Sequence, residues 1–171
     1  MDNRPIGFFD SGLGGLTSVS ALQNRLPKER VIYYGDTART PYGSKSPETI
    51  RKFASQIVDY LVSKDVKMVV IACNTVTSLA LDELRQQHPE LPIIGVIEPT
   101  VRKVVESHCP NVGIIATKAT IQSDVYARLL HNLDPSIRTS SLACPAFVPL
   151  IEEGIIDNEI MDLTIRYYMD D

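Results

Sequence analysis

Cysteine is scarce in this chain: Cys73, Cys109 and Cys144 are the only three in 171 residues, and none stands in CxxC spacing. That excludes a disulfide scaffold and a zinc ribbon. Long apolar runs are missing too. The longest, residues 68–73 and 93–97, fall far short of the ~20 needed to cross a bilayer. Positive charge is not in excess: 17 Lys+Arg stand against 21 Asp+Glu, a formal net charge of −4, so no electrostatic footprint for nucleic acid exists. The opening Met-Asp-Asn-Arg-Pro lacks the basic-then-apolar layout of a signal peptide. The expected location is therefore the cytoplasm, with reduced thiols. No Gly-Lys-Ser/Thr phosphate loop is present, and His88, His108 and His131 share no metal-ligand spacing, so neither a nucleotide nor a metal is expected.

What is present reads as an ordinary globular protein, 44% apolar and 22% charged. Short apolar runs alternate with longer amphipathic ones. Strands are expected at residues 6–9, 31–34, 67–73 and 92–96, then at 112–116 and 138–142. Helices are expected at 13–26, 47–62, 75–87, 101–107, 121–131, 146–153 and 159–169. Ser46 before Pro47 is an N-cap followed by a proline at the first helical position, and residues 35–46 read as a long loop. This alternation predicts an α/β fold built on parallel sheets. Two units follow, residues 1–97 and 98–171, divided at Glu98-Pro99. The second has only two strands, too few to bury both faces of an open sheet, so it is expected to be incomplete.

Ligands of open α/β sheets sit beyond the carboxyl ends of the strands, and three polar segments lie there. Asp10-Ser11-Gly12-Leu13-Gly14-Gly15 is a tight turn before a helix whose free N–H groups suit an anion, or else a purely structural turn. It is no dinucleotide fingerprint, because the sixth position from Gly12 is Thr17. Pro41-Tyr42-Gly43 is either a contact loop or a solvent turn. Cys73-Asn74-Thr75 places a thiol at a helix start, where the dipole favours a thiolate, with Asn74 or Thr75 able to cap the helix or hold a carboxylate. The plainer alternative is a buried, inert cysteine. Ala116-Thr117-Lys118-Ala119-Thr120 follows the fifth strand and reads as an anion contact or a helix cap. Cys109 and Cys144 each precede a proline in connecting segments and read as bystanders.

These four segments, with Pro149-Leu150-Ile151-Glu152-Glu153-Gly154, occur in an order that resembles the glutamate racemases of the aspartate/glutamate racemase superfamily. The resemblance spans the chain from Pro5 onward. It implies two α/β units facing a shared cleft and interconversion of L- and D-glutamate without a cofactor, supplying D-glutamate for peptidoglycan. It assigns Cys73 as one of two catalytic cysteines, Asp10 as the carboxylate beside it and Glu152 as an auxiliary acid. Asp10, Ser11, Tyr42, Gly43, Asn74, Thr75, Thr117 and Thr120 match substrate contacts. The family's second cysteine belongs to a Gly-Cys-Thr-His motif that this sequence does not contain. The expectation is a chain cut short and catalytically incomplete, poorly stable or associated as a homo-oligomer. An aspartate racemase and a non-catalytic amino-acid-binding remnant are the alternatives.

Overall fold

The computed structural model describes residues 2–170. Four parallel strands, β1 (Ile6–Asp10), β2 (Val31–Gly35), β3 (Met68–Ile71) and β4 (Ile93–Gly95), form a sheet in the order β2-β1-β3-β4. The period of two along β1, with both faces of the sheet covered, explains why it is apolar from Ile6 to Phe9. Ile6 and Phe8 pack with Val19 of α1 (Leu16–Arg25), whereas Phe9 joins the larger core on the opposite face. That core is closed by α2 (Pro47–Ser63) and α3 (Asn74–Gln87). Ile50, Ala54, Ile57, Val58 and Leu61 recur at helical spacing and are all buried. Ser46 caps α2 as expected, its hydroxyl accepting from the Thr49 N–H.

The second unit pairs β5 (Asn111–Ala116) with β6 (Arg138–Ala143) in parallel and carries α4 (Ile97–Glu106), α5 (Lys118–Gln122), α6 (Val125–Leu133), α7 (Phe147–Glu152) and α8 (Glu159–Met169). Its core, Ile97, Val101, Ile114, Leu130 and Ile137, lies on one face of the two-stranded sheet. The opposite face is open: Ile115 and Leu142 are register partners, 55% and 41% exposed. Along α8, Ile160, Leu163 and Tyr167 form an exposed apolar stripe. No helix among the described residues is long and apolar enough to cross a membrane.

Several expected boundaries move for local reasons. The helix expected from residue 13 starts at Leu16, because the Leu13-Gly14-Gly15 turn precedes it. Residues 37–39 form one 3-10 turn inside the long loop. The expected divide at Glu98-Pro99 falls within a helix. It lies in the first turn of α4, where the missing proline N–H costs no helical hydrogen bond. The single helix expected over 121–131 is two, α5 and α6, broken where Asp124 takes a left-handed backbone at φ 55°. Around the break Ser123 Oγ donates to Thr120 O at 2.6 Å and accepts from the Val125 N–H at 3.4 Å.

Burial predicts where truncation is costly. Leu61→Ala, at a fully buried position facing Gly7, is expected to lower unfolding free energy by about 2–5 kcal/mol in a denaturant titration. Leu163→Ala, on the exposed stripe, is expected to change it by less than ~0.5 kcal/mol.

Candidate active site

The strand ends build the site. β1 delivers Asp10, whose buried carboxylate accepts from the Gly15 N–H at 2.8 Å. Tyr33 on β2 lies 3.3 Å from the same oxygen and donates at 2.9 Å to the Gly12 carbonyl, tying the glycine turn to the carboxylate. β3 ends at Ile71, and Cys73 becomes the N-cap residue of α3. Neither Asn74 nor Thr75 caps that helix; both are inside its first turn. Cys73 Sγ is 3.3 Å from Ser11 Oγ.

The helix start and the buried corner act on Cys73 in opposite directions. Burial and the neighbouring Asp10 charge push its pKa up, and the Ser11 hydroxyl with the Val76 and Ser11 N–H groups only partly oppose them. Cys73 is therefore a neutral thiol, despite the helix start beneath it. Burial, then the Asp10 charge, likewise keep the Tyr33 phenol protonated, and so a donor.

A second group of contacts closes the cleft from the other unit. Thr75 Oγ1 lies 3.0 Å from Thr117 Oγ1 and 3.5 Å from Thr120 Oγ1, and these two threonines are 3.1 Å apart. Thr117 also caps α5, its hydroxyl accepting from the Thr120 N–H at 3.4 Å, as one of the two readings of that segment expected. The Ala119 N–H donates to the Gly43 carbonyl at 3.3 Å. Gly43 must be glycine: a Cβ there would stand 2.6 Å from Thr117 Cβ. Tyr126 donates to Asn74 Oδ1 at 2.6 Å. Tyr42 is buried, and its phenol donates to Asp36, which Arg39 Nε holds at 2.7 Å. Burial and Asp36 push the Tyr42 phenol well above its usual range. Glu152, at the end of α7, reaches over the glycine turn so closely that a Cβ on Gly12 would stand 2.2 Å from Oε1.

All ten residues singled out from the sequence line one cleft of about 950 Å³. Tyr33, Asp36 and Tyr126 were not foreseen. Asp36 directly follows a strand, the same signal that marks Asp10, whereas Tyr126 was hidden by the unbroken helix expected there. Cys144, read as a bystander, is buried, lines the cleft and has its pKa raised by burial. Cys109 is exposed. Among the described residues no group of three His, Cys, Asp or Glu could hold a metal ion. The cleft thus offers a neutral thiol beside a carboxylate, ringed by uncharged donors, which suits moving a proton at a carbon next to a carboxylate.

Comparison with known proteins points the same way. The profile of the family described as Asp/Glu/Hydantoin racemase matches residues 17–163. A glutamate racemase of Streptococcus pneumoniae (serotype 19F, strain G54) is 47% identical over 161 residues, covering 94% of this chain and 61% of the relative. The chain thus spans about three fifths of the length of the curated relatives it matches. The crystal structure of glutamate racemase from Francisella tularensis in complex with D-glutamate superposes with a TM-score of 0.94 at 45% identity, covering 99% of this chain and 64% of that one. Escherichia coli glutamate racemase in complex with L-glutamate and the activator UDP-MurNAc-ala gives a TM-score of 0.78 at 26% identity, covering 96% and 64%.

The raised Cys73 pKa fixes the sign of an alkaline effect. As pH climbs past the ordinary thiol value of 9.0, the unfolded chain loses this proton first, so stability falls until the folded thiol ionises too. Cys73→Ala is expected to flatten the decline of unfolding free energy that begins near that value. Alkylation followed by peptide mapping at neutral pH is expected to modify exposed Cys109 before Cys73.

Proposed function

Because this chain belongs to the Asp/Glu/Hydantoin racemase family, we propose that its cleft binds glutamate and moves the α-proton through Cys73, as one half of a cofactor-free, two-base racemisation. The observation that carries this reading is the Cys73 thiol, 3.3 Å from Ser11 and raised in pKa by burial and then by the adjoining Asp10. Such a thiol is a poor base until a cation arrives, and the ammonium of an amino acid is that cation. Set near Asp10, the ammonium offsets the carboxylate's hold on the thiol pKa. The thiol proton then passes to Asp10, and the thiolate takes the α-proton. Negative charge developing toward the substrate carboxylate is met by the hydroxyls of Thr75, Thr117 and Thr120 and by the amide of Asn74. Ser11 orients the thiol, and Tyr42 with Gly43 closes the side of the cleft against Thr117.

Return of the proton from Cys73 restores the same enantiomer, and inversion needs a donor on the opposite face. These 171 residues contain no Gly-Cys-Thr-His. Glu152 stands across the glycine turn as an auxiliary acid. The cellular role in this reading is cytoplasmic supply of D-glutamate for peptidoglycan. Self-association belongs to the same reading: the open face at Ile115 and Leu142 and the stripe of Ile160, Leu163 and Tyr167, the last 80% exposed, favour a homo-oligomer.

The test uses the 171-residue chain. Glutamate is expected to protect Cys73 from alkylation, and one enantiomer is expected to exchange its α-hydrogen with deuterated water by proton NMR. Chiral chromatography is expected to detect no inversion, and Cys73→Ala to abolish the exchange. If glutamate neither protects Cys73 nor exchanges, the reading fails; full-speed inversion by this chain overturns the single-thiol account. In sedimentation velocity the chain is expected to associate with rising concentration, less so as the Leu163→Lys/Tyr167→Lys double variant.

A further inference from the structure

We infer that Tyr126 is a positioning residue that fixes the polarity of the Asn74 amide, so that a ligand carboxylate in the cleft meets an N–H donor and not a carbonyl oxygen. This rests on the amino-acid-binding reading above and concerns a residue which that reading does not use.

The two ends of an asparagine amide have nearly the same shape and opposite hydrogen-bonding character. Which end faces a ligand is decided by what holds the other. Asn74 is the first residue of α3, exposed on the cleft. Its Oδ1 lies 2.6 Å from the Tyr126 hydroxyl, a length typical of O–H···O bonds and short for N–H···O. The phenol is therefore the donor and the amide oxygen the acceptor. Burial raises the pKa of Tyr126, so the phenol keeps its proton across the neutral range. With Oδ1 occupied, Nδ2 has no partner among the described residues and is left with both its N–H groups for the cleft.

This polarity matters more here than in most carboxylate sites. No Lys, Arg or His is among the residues lining the cleft, whereas Asp10 and Glu152 are. A ligand carboxylate has only neutral donors to meet it, and an amide turned the wrong way would oppose it with a lone pair. The partner comes from the other unit. Tyr126 lies two residues after the left-handed Asp124, and the helix break there sets the direction from which its phenol reaches α3. The amide on α3 is thus oriented by a residue on α6, and the two units are joined at the ligand contact.

The experiment measures the ligand concentration giving half-protection of Cys73 from alkylation, using glutamate and its two monoamides, glutamine and isoglutamine. The wild-type chain, Tyr126→Phe, Asn74→Ala, Asn74→Asp and the Tyr126→Phe/Asn74→Ala double variant are compared, with melting curves to establish folding. Wild type is expected to favour glutamate over the monoamide whose amide replaces the carboxylate at Asn74. In Tyr126→Phe, glutamate protection is expected to weaken about tenfold and that preference to shrink by a similar factor. A purely structural role for the phenol would not move the preference. Asn74→Ala is expected to weaken glutamate with no further loss on adding Tyr126→Phe, and Asn74→Asp, which keeps the acceptor for Tyr126 but lacks the donor, to weaken it as well. Unchanged affinity and preference in Tyr126→Phe, losses that multiply in the double variant, or full affinity in Asn74→Asp would each overturn the inference alone. Absence of protection in the wild-type chain would instead overturn the proposed function, and this inference with it.

Discussion

The parallel register of β1 against β3 is the constraint on which the site depends. Phe9 stands opposite Ile71, so the two strands end side by side, and Asp10, the last residue of β1, and Cys73, the N-cap of α3, must share one space. A carboxylate and a thiol forced together in a buried corner cannot both be charged at low cost. The carboxylate is held by the Gly15 N–H and Tyr33, so the thiol yields and stays neutral. A helix start beneath a cysteine is ordinarily a reason to expect a thiolate, but its effect is smaller here than burial plus one adjacent negative charge. The resting state is therefore set by the sheet register and not by the helix dipole.

The same logic explains why so many polar side chains are buried around the cleft without destabilising it. Asp36, 4% exposed, is held by the Tyr42 phenol and Arg39, whose guanidinium lies 4.1 Å over the Phe53 ring. Thr75 and Thr120, on different units, meet one another and Thr117. Each such bond contributes about 1 kcal/mol net, and leaving one partner buried and unpaired costs more. Three sets of contacts, at the threonines, at Asn74–Tyr126 and at Gly43–Ala119, join the units around the cleft.

How far this was legible in the sequence differs from residue to residue. Local chemistry marked α2, through Ser46-Pro47 and the 3–4 spacing of Ile50 to Leu61, and α8, through its period alone. It also marked the strand ends that carry Asp10 and Cys73. The break at Asp124 carried no glycine or proline, because an aspartate tolerates the left-handed region when neighbouring contacts hold it there. Tyr33 and Tyr126 act on residues 23 and 52 positions away, and sequence periodicity has no term for such partners. The charge state of Cys73 is only half legible, because the helix start is a local property of the sequence whereas burial belongs to the whole fold.

The cleft's charge pattern has a further consequence for what it recognises. With Asp10 and Glu152 in its lining and no basic side chain there, a dicarboxylate gains nothing from simple charge attraction. Binding such a ligand depends on its ammonium, the one positive group in the encounter, and on neutral donors aimed at its carboxylates. That arrangement joins recognition to reactivity. In the proposed reading the ammonium that offsets Asp10 during binding is the same charge that eases ionisation of Cys73, so a ligand lacking it would leave the thiol neutral even if it fitted. A carboxylate held by hydroxyls and an amide, and not by a guanidinium, is also less fully neutralised at rest. Hydrogen bonds of this kind strengthen as negative charge grows, so more of their contribution falls in the transition state than in the ground state. If the proposed proton transfer takes place here, a carbanion formed without a cation in the cleft lining gains most from donors of this type.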